Sequence, residues 1–165
     1  MNKKTILLKV AKKGYCVLTQ EEKDFYNASD MREILYKEAK NCIGKNMAPI
    51  QKSLGCVEAL NNIAIKATGN AIGGGYSTYW LYESLKDIKR FKKIDKPLRG
   101  DIVISPTGHG NGKIKNGHTG IVSDDGKIMS NDSVKLLWLE NYTLESWTKR
   151  FKEKGGFPVE FFRIL

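Results

Sequence analysis

The chain has 165 residues, with 28 Lys+Arg against 18 Asp+Glu and a formal net charge of +10 at pH 7. That length fits a single domain able to bury roughly 70% of its unfolded surface, so a core needs neither a disulfide framework nor a structural metal. Apolar runs fall far short of the roughly 20 residues that span a bilayer, and the excess of cations implies an anionic partner: nucleic acid, anionic lipid or a wall polyanion.

The N-terminus, Met1-Asn2-Lys3-Lys4-Thr5-Ile6-Leu7-Leu8, begins like an export signal. Its apolar stretch is broken by Lys9 and followed by Lys12 and Lys13, so no signal peptide is expected. Residues 1–28 are read as an extension of uncertain structure, and 29–165 as one domain. Ser29 or Asp30 can cap a helix carrying Met31, Ile34, Leu35, Ala39 and Cys42 at i, i+3, i+4 spacing, stopped by Gly44. Residues 57–67 repeat the pattern and end at Gly69. A third helix is expected from Ser77 through Trp80, Leu81, Leu85 and Ile88. The basic run from Lys86 to Arg99 reads as a solvated face.

Beyond residue 95 the pattern changes to short strands with turn signals. Ile102–Ile104, Thr119–Val122 and Lys127–Asn131 are expected strands, the last two joined by a hairpin at Asp124-Asp125-Gly126. Val134–Leu139 and Val159–Ile164 are two more, with a short helix from Leu144 to Lys152 between them. Helices first and a strand meander second indicate an α+β fold with an antiparallel sheet packed on helices.

Three cysteines (Cys16, Cys42, Cys56) are too few and too odd for a disulfide framework. With two histidines and no C-x-x-C, neither metal nor cofactor is expected. Cys56 falls where a Gly-containing loop meets an amphipathic helix. Free N–H groups at a helix start can lower a thiol pKa and stabilise an oxyanion; the alternative is a small buried hydrophobe. Of the possible bases, His109 lies in a glycine-rich loop, whereas His118 heads an apolar strand and is better fixed. A third polar group should orient that ring. Asn131 is favoured, with Ser130 and Asp132 as alternatives, because a one-residue slip of the hairpin exchanges which of them faces it. Gly73-Gly74-Gly75 lacks the Lys-Ser/Thr of a phosphate loop.

Leu54-Gly55-Cys56-Val57-Glu58-Ala59, then Arg99-Gly100-Asp101-Ile102-Val103-Ile104, then Gly117-His118-Thr119-Gly120-Ile121-Val122, then a strand ending in a polar cluster, resemble in order and context the CHAP amidohydrolase/peptidase family. The resemblance spans roughly residues 30–165. It implies a papain-like fold, related to NlpC-type peptidases, with Cys56 as nucleophile, His118 as general base and a third polar residue within Ser130–Asp132. Many members carry an acidic residue followed by an asparagine there, and Ser130 departs from this. Gln51, five residues before Cys56, is the candidate side-chain donor to the oxyanion, a solvated loop residue being the other reading.

The resulting expectation is a cysteine-dependent peptidoglycan hydrolase, an N-acetylmuramoyl-L-alanine amidase or endopeptidase. It would be made in the cytoplasm and reach the wall by endolysin-like bacteriophage release, tail association or machine-mediated delivery. The +10 charge would then hold it on peptidoglycan and teichoic acid rather than on nucleic acid. The competing readings are a non-catalytic basic binding module and a papain-like protease or acyltransferase with another substrate.

Overall fold

The computed structural model describes residues 5, 6, 9, 12, 13, 17–22 and 30–165. The expectation for residues 1–28, and Ser29 as a cap, fall largely outside these. Helix α1 (Met31–Asn41) starts at Asp30, whose carboxylate accepts the Glu33 N–H at 3.3 Å. Leu35, Tyr36 and Ala39 form its buried stripe. Helix α2 (Cys56–Thr68) buries Val57, Ala59, Leu60, Ile63, Ala64 and Ala67 and stops at Gly69 in the left-handed region. Helix α3 (Thr78–Leu85) begins behind Ser77, whose hydroxyl accepts the Tyr79 N–H at 3.2 Å. It ends before Ile88, which is exposed; Asp87 instead takes the Lys89 N–H and turns the chain.

Among the described residues six strands form one antiparallel sheet: β1 (Phe91–Ile94), β2 (Ile102–Ser105), β3 (His118–Val122), β4 (Lys127–Asn131), β5 (Trp138–Thr143) and β6 (Glu160–Ile164). Their order is β1-β6-β2-β3-β4-β5. The molecule is therefore α+β. Helices α1 and α2 cover one face through Ile102, Ile104, Ile121, Met129, Trp138 and Phe162. On the other face Val103, Val122 and Ile128 pack with Trp147, Phe151 and Phe157. Trp147 comes from a short helix α4 (Leu144–Trp147), capped by Thr143, Phe151 from the wide π-helical turn Thr148–Lys154 that follows it, and Phe157 from the segment after that turn. Asp101, wholly buried before β2, takes both Nε and Nη2 of Arg163 at 2.8 and 2.7 Å and so ties β6 to its neighbour.

Two expectations need correction. Phe91–Ile94 lies inside the basic run read as solvated, yet it is an edge strand with Phe91 buried and Lys92 and Lys93 outward. The strand expected at Val134–Leu139 lies at Trp138–Thr143 instead. Asp132 Oδ1 accepts the N–H groups of Val134 and Lys135 at 2.9 and 2.8 Å, which spends the first apolar residues on a turn and leaves Val134 exposed. Among the described residues no helix is long and apolar enough to cross a membrane.

Candidate active site

The loop before α2 is tightly folded. A side chain at Gly55 would place Cβ 2.2 Å from Cβ of Ala48 and 2.9 Å from the Lys52 carbonyl, so only glycine lets the loop fold back against itself here. The next residue, Cys56, opens α2 and is 9% exposed. Burial pushes its thiol up to about 11, although the N–H groups of Thr119, Val57 and Cys56 itself pull the other way. The expected lowering by the helix N-terminus is thus present but outweighed by desolvation.

Two residues further on, Glu58 is buried, and its carboxylate accepts the N–H groups of Ile50 at 3.1 Å and Gln51 at 2.6 Å. The first turn of α2 therefore holds the loop that carries Gln51. Gln51, Cys56, His118, Asn131, Tyr142 and Arg150 line one cleft of about 740 Å³.

His118 enters the cleft from the start of β3. A Cβ on the preceding Gly117 would lie 1.9 Å from the Ser105 carbonyl, so the chain passes β2 with no room for a side chain. The imidazole stacks on Trp147 and Phe151, with centroids 5.3 and 5.7 Å away, while Trp147 is fixed by its Nε1–H to Ser105 Oγ at 3.1 Å. Burial, aided by the positive charge of Arg150 and opposed by Asp132, pushes His118 down to about 4. At neutral pH the site therefore holds a thiol and an uncharged imidazole. The cleft, rather than a direct hydrogen bond, is what the two share.

The side chain that meets the His118 ring is Ser130, not Asn131. In the β3–β4 register Gly120 faces Ser130, so Ser130 shares the sheet face of His118 while Asn131 points to the other. His118 Nε2 lies 3.1 Å from Ser130 Oγ, which donates to Asn141 Oδ1 at 2.7 Å. The Asn141 amide also binds Asp132, which the N–H groups of Lys135 and Val134 together with that amide hold below the usual carboxylate range. A carboxylate can only accept, so Asn141 turns Nδ2 to Asp132 and Oδ1 to Ser130. The serine hydroxyl then has only a lone pair left for His118. Nε2 must carry the imidazole proton, and Nδ1 is the free basic nitrogen. Asn131 instead gives Nδ2 to the Lys52 carbonyl at 3.1 Å and steadies the loop that leads into α2; among the described residues its buried Oδ1 has no partner.

Sequence reasoning misses Glu58 and Asn141. Glu58 has a readable signal, an acid between Val57 and Ala59-Leu60 on an apolar helix. Asn141 has none, since it sits in a strand expected to end at residue 139. A thiol at a helix start, a directed imidazole and a side-chain amide in one cleft make a set suited to acyl transfer. No protein-family model matches the chain, and no curated protein matches it significantly.

Proposed function

We propose that the chain is a cysteine-dependent peptidoglycan hydrolase of papain-like architecture that cuts an amide bond of the wall peptide. The observation that carries the catalytic part is the relay His118–Ser130–Asn141–Asp132, which leaves Nδ1 of His118 as a base in the cleft of Cys56. The wall substrate rests on the resemblance of the Cys56, Asp101 and His118 motifs to CHAP domains. The +10 charge suits an anionic wall bearing teichoic acid.

Because thiol and imidazole are both neutral, proton transfer accompanies attack. His118 Nδ1 takes the Cys56 proton as Sγ adds to the amide carbon. The Cys56 N–H and the Gln51 side chain receive the oxyanion. The imidazolium then protonates the departing amine, leaving a thioester. Water, deprotonated by the same nitrogen, releases the free carboxylate and restores the thiol. The Asp132 charge at the far end of the relay favours the transient imidazolium.

The test is incubation of purified cell walls with the protein and with Cys56→Ala, following turbidity and the mass of released muropeptides. Clearing by the wild type alone, with a new amine and carboxylate terminus, is the expected result. Equal clearing by both proteins removes the cysteine mechanism. Cleavage of peptides but not of walls replaces the wall substrate with a protein or other acyl substrate.

A further inference from the structure

Beside the cleft, the N-terminal end of α3 presents three aromatic rings to solvent. Tyr76, Tyr79 and Trp80 are 52%, 40% and 61% exposed, whereas Trp138 and Trp147 are wholly buried. Clustered exposed aromatics mark a surface that is covered in use. Tyr79 and Trp80 meet edge to face with centroids 5.0 Å apart, and His109 backs Tyr79 at 6.1 Å, so the rings hold one another in place. Tyr76 and Trp80 line an open groove with Gly74, Gly75, Glu83 and Ser84. Asn61 of α2 holds the approach to this groove, donating Nδ2 to the Gly73 carbonyl at 2.9 Å and accepting the Ile72 and Gly73 N–H groups at 2.9 and 3.1 Å. Tyr76 also lines the cleft of Cys56, so groove and cleft meet at that side chain.

The lining selects the occupant. In a chain of net charge +10 this groove carries one carboxylate, Glu83, and no basic residue; Lys86 pairs with that carboxylate at 2.6 Å from outside the lining. A polyphosphate would require the opposite composition. A pyranose ring offers an apolar C–H face to an aromatic side chain and a rim of hydroxyls to a carboxylate, a serine and glycine carbonyls. We propose that the groove of Tyr76 and Trp80 is a saccharide subsite that seats an N-acetylhexosamine of the glycan whose stem peptide occupies the Cys56 cleft. The link to a stem peptide rests on the hydrolase reading; sugar stacking in the groove does not.

The probe is a tetramer of N-acetylglucosamine titrated into the Cys56→Ala protein while tryptophan emission is followed. Trp80 is the reporter, because the other two tryptophans are wholly buried. A saturable change whose affinity Tyr76→Ala weakens by about fivefold or more is the expected result. On walls, Trp80→Ala should raise KM more than it lowers kcat, with a loss larger than that on glycan-free stem peptide. No saturable response at millimolar sugar, unaltered affinity in the Tyr76→Ala protein, or a response to stem peptide in place of sugar overturns the subsite. Sugar binding by a protein that leaves walls intact retains the subsite and overturns the hydrolase.

Discussion

Replacing Ser130 by alanine probes the direction of the relay. The change removes the acceptor 3.1 Å from His118 Nε2 and the donor 2.7 Å from Asn141 Oδ1. A neutral hydrogen bond contributes about 1 kcal/mol and one from a charged donor about 1.5–3 kcal/mol. The bond to Ser130 is neutral in the resting ring and becomes charged once His118 holds the thiol proton. Its loss therefore falls mainly on the charged state, by about 1–2 kcal/mol, which corresponds to roughly a five- to thirtyfold lower kcat. The resting effect is visible without any substrate. Nitrogen NMR of the imidazole at neutral pH should show the Nε2–H tautomer in the wild type and a mixture in Ser130→Ala. A wild-type ring protonated on Nδ1 would refute the reasoning outright. So would a Ser130→Ala protein with unchanged tautomer and turnover.

Glu58→Gln keeps the shape of a side chain that accepts two backbone N–H groups but turns an amide N–H₂ toward one of them; urea unfolding should show a loss of about 1–2 kcal/mol, and turnover should fall as the Gln51 loop loosens. With its thiol pushed up to about 11, Cys56 should be alkylated by iodoacetamide at a rate that climbs steadily through alkaline pH, followed by peptide mapping; a plateau below neutrality would show a resting thiolate–imidazolium pair instead. His118 is held neutral down to about pH 4 in the fold, against an ordinary 6.5 when unfolded. The unfolded chain therefore takes up the proton first as pH falls. The stability of the wild type relative to His118→Leu should drop by at most about 3 kcal/mol between pH 6.5 and 4, and a constant difference across that range would contradict the burial of the ring.

Much of the helical half was legible because apolar residues recur at helical spacing between chemically distinct stops: Asp30 before Met31, Gly69 after Thr68, Ser77 before Thr78. Cys56 and His118 were legible for the same reason, each sitting at the boundary of such an element. The third group was not. Its identity depends on strand parity, and parity depends on which residue of β4 meets Gly120, a tertiary fact. The members of the polar cluster Ser130-Asn131-Asp132 make three different sets of contacts. Ser130 meets the ring, Asn131 holds the loop that leads into α2, and Asp132 binds the Asn141 amide while also making the turn into β5. That turn hid β5: Val134 and Leu136 look like strand residues until a side-chain carboxylate claims the neighbouring N–H groups. β1 was hidden by its lysines, since an edge strand with one buried face needs only Phe91.

The stacking of His118 against Trp147 and Phe151, which also touch each other, has a consequence for how the protein can fail. Trp147 and Phe151 belong to the apolar layer under the sheet, with Val103, Val122 and Ile128. The imidazole is therefore held in place by the core itself, not by a mobile loop able to fray while the rest of the molecule stays intact. Loss of the His118 geometry and global melting become a single event, and a partly warmed sample is a mixture of molecules with an intact cleft and fully unfolded ones.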